Sequence, residues 1–578
     1  MNSSDKKQCS MLCPLQTIYG RDEGKRLYLW ILNQIERFRE KNRLDTRSDL
    51  DESDAILITY PDQFKRSGEP PLKTLRRFCL DYLKNVFNII HLLPFYPWSS
   101  DDGFAVIDYL KVKTEYGSWD DIDELSRHFY LMFDAVINHV SSQNTWFRSF
   151  LRGDPDFRDY FLTSDDISDL SKVVRPRKTP LLTEFNTDSG VVKVWTTFGP
   201  DQIDLSYKNP EVLKEVINLL LFYVSHGCRF IRLDAIAYLW KESGTGCIHL
   251  PQTHAIIQIF NEILRECAPH VKLITETNVP HEDNVSYFSD AGNEAHLVYN
   301  FALPPLIMHT ILKEDARALT EWAAKLTLPS KKVSFFNFLA SHDGIGLNPA
   351  RGILSVDEID VLVNKTLEHQ GLVSYKSNED GTQSPYELNI SYFDALSNPL
   401  LNESVHVQVM RFLAAHAIML SLVGLPGIYI HSLLGSRSWH EGVEKTGHAR
   451  TINRQKFTLD HIESQLSDQE SIPSQVYQGM SHLLVKKKTS SAFHPHGAQL
   501  VMDFGRSIFA LMRISPDGED FALCLHNISS SSQKFVVDPV LYGLPAGVWR
   551  DLLTDQQFEL EPGNEIALEG YQTAWLIM

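Results

Sequence analysis

Eight short runs rich in aliphatic and β-branched residues recur between positions 55 and 432: AILITY (55–60), NIIHLLPF (88–95), YLMFDAVINHV (130–140), RFIRLDAI (229–236), VKLITET (271–277), HLVYNF (296–301), VSFFNFLASHD (333–343) and LPGIYIHS (425–432). Several are separated by stretches, 71–87, 119–128, 209–226, 253–267 and 403–422, in which apolar residues return every three to four positions, the spacing of one helix face. Eight strands alternating with helices predict an α/β fold, a parallel (β/α)8 or TIM barrel. Two connections, about 141–228 and 344–424, are too long for ordinary loops and read as inserted subdomains over the working end of the barrel. After about residue 480 the pattern changes to SIFALMRI, FALCLHNIS and TAWLIM with turn signals between, a small all-β domain. The expected organisation is a helical N-terminal extension over 1–50, built on RLYLWILNQIERFREKNR (26–43), a catalytic barrel over 51–480 and the β domain over 481–578. The chain shows no internal repeat and no nucleic-acid-binding module.

Composition narrows the partners. With 578 residues, 43% of them hydrophobic, the chain can bury more than one core. A net charge of −18, from 55 basic and 73 acidic residues, opposes nonspecific binding to nucleic acid or an anionic membrane. An anionic substrate would need a local basic pocket. The opening MNSSDKKQCSMLCPLQTIYG lacks the apolar core of a signal peptide, and no later run approaches the ~18 apolar residues of a membrane span, so a soluble, cytoplasmic protein is expected. The seven cysteines include no CxxC pair, and Cys9 and Cys13 sit in an end expected to be mobile. Free thiols are therefore expected, with no disulfide framework and no zinc.

In such a barrel the chemistry sits at the carboxyl ends of the strands. The polar residues there are Asp134 with Asn138 and His139, Arg232 and Asp234, Glu276, and His342 with Asp343. Arg232 and Asp234 stand inside the apolar run RFIRLDAIAYLW, where charges are costly unless paired or used. One reading is a structural ion pair. The other is catalytic: cleaving a glycoside with retention needs two nearby carboxyl groups, one attacking the anomeric carbon and one donating a proton to the leaving oxygen. Asp234 would attack, kept ionised by Arg232.

Four segments, DAVINH (134–139), RLDA (232–235), ITET (274–277) and LASHD (339–343), resemble in order and spacing the four conserved regions of the α-amylase clan of retaining α-glucosidases. A wider set is similar to the phosphorylase subfamily that includes sucrose phosphorylase: HLLPFYPWSSDDGFAVIDY (91–109), RPR (175–177), WTTFGPDQIDL (195–205), KESGTGC (241–247), SHDGIGLNPARGIL (341–354) and INR (452–454). Within it, LITETNVPHEDNVSYF (273–288) and LLGSRSWHEGVEKTGHARTINR (433–454) resemble the glucosylglycerate phosphorylases most. The resemblance covers most of residues 50–460. It implies Asp234 as nucleophile, Glu276 as general acid/base and Asp343 as the carboxylate that holds sugar hydroxyls and stabilises the transition state. It implies that His139 and His342 bind glucosyl hydroxyls, that Asp101 and Arg454 close the blind end of the pocket, that Phe104 and Phe198 form its aromatic walls, and that Arg232, Gln202 and Tyr238 belong to the binding set.

For phosphate, Arg175, Arg177 and Lys178 of the RPRK stretch offer positive charge, and the resemblance favours Arg177 as the phosphate or acceptor ligand. The implied reaction is a double displacement: Asp234 takes the glucosyl group, Glu276 protonates the leaving group, and phosphate then attacks to give α-glucose 1-phosphate. No organic cofactor and no metal is implied, although Asn138 occupies a position that binds calcium in some amylases. Sucrose phosphorylases carry a histidine two residues after the acid/base, where this chain has Asn278 and reaches histidine only at His281. Fructose recognition is thereby disfavoured, and the carboxylate of glycerate suits an arginine-rich acceptor side. Sucrose, sucrose 6-phosphate or glucosylglycerol as substrate, a hydrolase or transglucosylase, and a barrel that only binds remain as alternatives. Tyr238, Trp240, Lys241 and Glu242 could line the acceptor side or pack against the first insertion.

Overall fold

All eight apolar runs form strands, and the strands close into one parallel barrel. In the computed structural model, which describes residues 3–42, 49–177, 179–289, 291–377 and 382–578, the strands are β1 (Ile56–Thr59), β2 (Ile89–Leu92), β3 (Tyr130–Ala135), β4 (Cys228–Leu233), β5 (Lys272–Thr275), β6 (Leu297–Tyr299), β7 (Ser334–Asn337) and β8 (Leu425–Tyr429). They follow one another around the barrel in chain order, and β8 pairs with β1 to close it. Nearly every strand residue is buried, because helices cover the outside and side chains fill the inside; this is why the runs read as continuously apolar. The register sets Asp134 of β3 beside Arg232 of β4, and Arg232 beside Ile274 of β5. The site is assembled from that row upward.

Helices start where the sequence supplies a cap or a proline. Asn209 accepts from the Glu211 N–H to begin Pro210–Ser225, Ser118 and Asp121 form a capping box at Trp119–Ser126, and Pro251 opens Pro251–Cys267. Helices Leu303–Lys313 and Arg317–Ala324, between β6 and β7, were not anticipated by the periodicity. Among the described residues no helix is long and apolar enough to cross a membrane.

The N-terminal region holds two helices rather than one. Ser3–Tyr19 precedes Arg21–Lys41, so the end expected to be mobile is helical and buries Met11 and Leu15. The helices approach so closely that a Cβ on Gly24 would lie 2.7 Å from the Gln16 backbone nitrogen. Leu27, Ile31, Ile35 and Phe38 bury one face of the second helix, and Tyr19 Oη donates to the Tyr207 carbonyl at 2.9 Å.

Each insertion has a small sheet of its own. The first carries the hairpin Leu182–Thr187 and Gly190–Trp195, and its strand Gln202–Asp204 pairs with His139–Ser141. The second carries the antiparallel sheet Ile345–Gly346, Gln383–Asn389 and Leu372–Ser377, flanked by helix Val356–Glu368. Each long connection ends in a barrel helix, Pro210–Ser225 in one and Val405–Ser421 in the other. At the C-terminus a six-stranded antiparallel sheet and a two-stranded one enclose a separate core around Trp549, Leu523 and Phe558. The boundary expected at 481 falls inside helix Ile472–Lys487, which packs against Val405–Ser421; strands begin at Ala498.

Candidate active site

Arg232 is 2% exposed and reaches three carboxylates. Its Nη1 donates to Asp134 Oδ1 at 2.5 Å and to Asp234 Oδ1 at 2.7 Å, while its Nη2 lies 3.9 Å from Glu276 Oε2. Asp134 is held further by His91, whose Nε2 is 2.8 Å from Oδ2, and the His91 and Arg232 charges keep its carboxyl below the usual range against the upward pull of burial. The ion pair at the centre of the RFIRLDAIAYLW run is thus both structural and aimed at the cleft. Ala235 follows with φ +50°, the left-handed region, which turns its N–H onto Glu276 Oε2 at 3.0 Å. Backbone strain at a non-glycine residue is stored here between two carboxylates.

Burial first, and then repulsion from neighbouring carboxylates, pushes Asp234 and Glu276 up to about 7. Arg232 opposes the shift in both, and it is 1.2 Å closer to Asp234 than to Glu276 (3.9 minus 2.7). Arg232 therefore favours the charged form of Asp234 more than that of Glu276. Asp343 behaves oppositely. Against burial, Arg450, His342, Arg454 and Arg232 hold it well below the ordinary carboxylate range. Its Oδ1 is 2.5 Å from Arg450 Nη1 and its Oδ2 is 3.4 Å from His342 Nε2.

The three carboxylates open into one cleft. Asp101, Phe104, His139, Arg177, Phe198, Gln202, Tyr238 and His342, each picked out from the sequence, line it with them. Arg232 and Arg454 stand behind the lining. The Phe104 ring stacks parallel on His342 at 4.7 Å, and the Phe198 ring lies 5.4 Å from both His139 and Tyr238. Gln202 Nε2 donates to the Phe104 carbonyl at 3.1 Å, and His139 Nε2 lies 2.8 Å from the same oxygen. Burial lowers both His139 and His342, so both rings are neutral and each can donate and accept.

At the end expected to be blind, Arg454 pairs chiefly with Asp102. Arg454 donates to Asp102 at 2.6 Å and lies 3.7 Å from Asp101, because Asp101 and Asp102 both adopt left-handed backbone and the turn carries Asp102 onto the guanidinium. Asp101 keeps its side chain for the cleft. Arg454 Nε donates to the His342 carbonyl at 2.8 Å, which fixes the backbone beside Asp343.

On the outer side, Arg177 faces the cleft near Tyr238 and Tyr386; burial holds both phenols protonated against its charge. Arg175 turns away and donates to the Thr179 carbonyl, and Lys178 lies outside the described residues. Asn278 lines the cleft, and His281 instead packs 5.8 Å from the Trp322 ring. In the YLWKE stretch only Tyr238 reaches the cleft. Lys241 is buried, with Nζ 2.7 Å from Asp204 and 2.9 Å from Asn138, so a lysine ammonium satisfies the oxygens at the possible calcium position. Among the described residues no group of three or more His, Cys, Asp or Glu side chains is placed to hold a metal. Asp204 also accepts from the Thr197 N–H and hydroxyl at 2.8 and 2.7 Å, which anchors the segment carrying Phe198.

Arg450, Tyr386 and Asp102 had not been singled out. Arg450 sits inside the HARTINR stretch, but its partners come from segments more than 60 residues away, and spacing carries no trace of them.

Residues 58–345 match the family model described as alpha amylase, catalytic domain. The chain is 48% identical over 574 residues to the glucosylglycerate phosphorylase of Spirochaeta thermophila, covering 97% of each chain. It is 44% identical over 566 residues to that of Escherichia coli, covering 97% of this chain and 98% of the other. Among solved structures, the sucrose 6F-phosphate phosphorylase of Thermoanaerobacter thermosaccharolyticum superposes with a TM-score of 0.74 at 24% identity, covering 91% of this chain and all of that one, a likeness of fold.

Proposed function

This chain belongs to the glucosylglycerate phosphorylase family of α-amylase-type barrels, and from that membership we propose that it catalyses the reversible phosphorolysis of 2-O-α-glucosyl-D-glycerate to α-D-glucose 1-phosphate and D-glycerate. Asp234 attacks the anomeric carbon and the glucosyl–oxygen bond breaks as Glu276 gives its proton to the glycerate oxygen, leaving a β-glucosyl ester on Asp234. Phosphate then enters the vacated space, attacks from the opposite face and releases Asp234, so that two inversions return the α configuration. Asp343 and His342 hold glucosyl hydroxyls, His139 adds a further polar contact, and Phe104 and Phe198 present aromatic faces to the sugar. Asp101 and Arg454 close the far end, with Gln202 and Arg232 fixing Phe104 and Asp234.

The observation that carries this reading is the unequal sharing of Arg232 between Asp234 and Glu276, with Arg177 across the same cleft. An ionised nucleophile, a protonated acid and a separate cation for phosphate or for the glycerate carboxylate are the three things the reaction requires. Asn278 beside the acid/base favours glycerate over fructose. Substrates are small molecules, and we place the reaction in the cytoplasm, because glucose 1-phosphate is charged and crosses apolar lipid only at high cost. The reading calls for no cofactor and no metal.

Phosphate release from α-glucose 1-phosphate, measured with D-glycerate, fructose, glycerol or no acceptor, tests the assignment. Release selective for glycerate is expected. Equal release without acceptor would make water the nucleophile, and release only with fructose or glycerol would move the chain to another acceptor.

A further inference from the structure

The reaction above leaves one cleft cation without a task. Arg450, in the turn Ala449–Asn453, lines the cleft beside Asp343. Its Nε and Nη2 donate to the two oxygens of Glu387 at 3.1 and 2.8 Å, while Nη1 lies 2.5 Å from Asp343 Oδ1. The two contacts differ in kind. The Glu387 pair is the forked, two-bond arrangement in which both planes lock. Asp343 Oδ1 is buried and has no aligned donor, so its contact with Arg450 is ionic.

Glu387 is 1% exposed and sits on strand Gln383–Asn389 of the second insertion, where Arg450 is the ion-pair partner that compensates its charge. The strand is pressed against the segment that follows Asp343. Gly346 pairs with Glu387 across the sheet, and a Cβ on Gly344 would come within 2.6 Å of Glu387 Cγ. The neighbouring Tyr386 lines the cleft. A chain of two contacts, Glu387 to Arg450 and Arg450 to Asp343, therefore runs from the central strand of the insertion's sheet to the carboxylate at the glucosyl site.

We infer that Glu387 fixes Arg450 in a fork that sets the guanidinium against Asp343, making Arg450 a positioning residue through which the second insertion sets how Asp343 receives the sugar. Without Glu387 the guanidinium is free to turn, and Asp343 loses the fixed ionic contact that orients it. The inference rests on the glucosyl-transfer reading of the cleft and is indifferent to the acceptor.

The test uses α-D-glucosyl fluoride as donor and reads fluoride release, with circular dichroism to establish folding. Glu387→Gln is expected to lower kcat about tenfold with KM changed less than about twofold. Arg450→Lys, which keeps the charge and loses the fork, is expected to lose about as much, and the double variant to be no worse than the poorer single one, since residues acting as one unit are not additive. Arg450→Gln is expected to move the acid limb of kcat/KM to higher pH, because Asp343 loses the nearest cation that offsets the upward pull of burial. A purely structural link would lower the melting temperature and leave kcat of the folded protein unchanged, which would overturn the proposal, as would losses that multiply in the double variant. Should Glu387→Gln not fold, Arg450→Lys decides: wild-type kcat in that variant overturns the inference. A wild-type enzyme that releases fluoride but no phosphate from glucose 1-phosphate would sink the phosphorylase reading and leave this one standing.

Discussion

One guanidinium sits unequally between two buried carboxylates. Arg232 lies 2.7 Å from Asp234 and 3.9 Å from Glu276, and in the proposed mechanism this difference separates nucleophile from acid although burial raises both to about 7. A carboxyl raised in this way keeps its proton to higher pH than in the unfolded chain. The corresponding stability is present at low pH and is lost as pH rises through about 7. Glu276→Gln, at the carboxyl that Arg232 holds less closely, is therefore expected to raise the melting temperature more at pH 8 than at pH 5, readable in paired thermal melts. The proton on Glu276 is needed for cleavage, so kcat/KM for phosphorolysis should fall as pH rises past about 7, and that limb should vanish in Glu276→Gln. Asp234 and Arg232 were legible in the sequence because charge inside an apolar strand is costly. Asp102 was not, since its pairing with Arg454 depends on two consecutive left-handed residues, and nothing in the residue order predicts that turn.

At the scale of elements, the barrel strands were readable because both their faces are buried, while helix Leu303–Lys313 after β6 was not, being apolar nearly all round with no clear face: Leu303 to Ile311 are buried without interruption. The N-terminal helix was hidden for another reason, Pro14 standing in its interior. The first insertion is tied to the barrel by a buried knot, in which Asp204 takes bonds from Lys241, Asn138 and Thr197. Asp204→Ala strands the buried Lys241 ammonium and should cost on the order of 3–5 kcal/mol, measured by urea unfolding. The same variant should raise KM for glucose 1-phosphate, because Phe198 follows Thr197 directly on the released segment. Wild-type stability in Asp204→Ala would show that the knot is dispensable.

Across the whole molecule, the candidate site lies at the carboxyl ends of the barrel strands, and the N-terminal helices lie away from it. The N-terminal helices Ser3–Tyr19 and Arg21–Lys41 pack on helix Pro251–Cys267 on the outside of the barrel. Deleting residues 1–42 uncovers an apolar face and should lower the melting temperature while leaving kcat with glucosyl fluoride within about twofold. The claim on which everything else depends is that a glucosyl group passes through Asp234 before phosphate takes it. Incubating the enzyme with α-glucose 1-phosphate and labelled inorganic phosphate, with no acceptor present, tests this directly. Label should enter glucose 1-phosphate in the wild type and not in Asp234→Ala; glycerate-dependent phosphate release without any such exchange would contradict the covalent route.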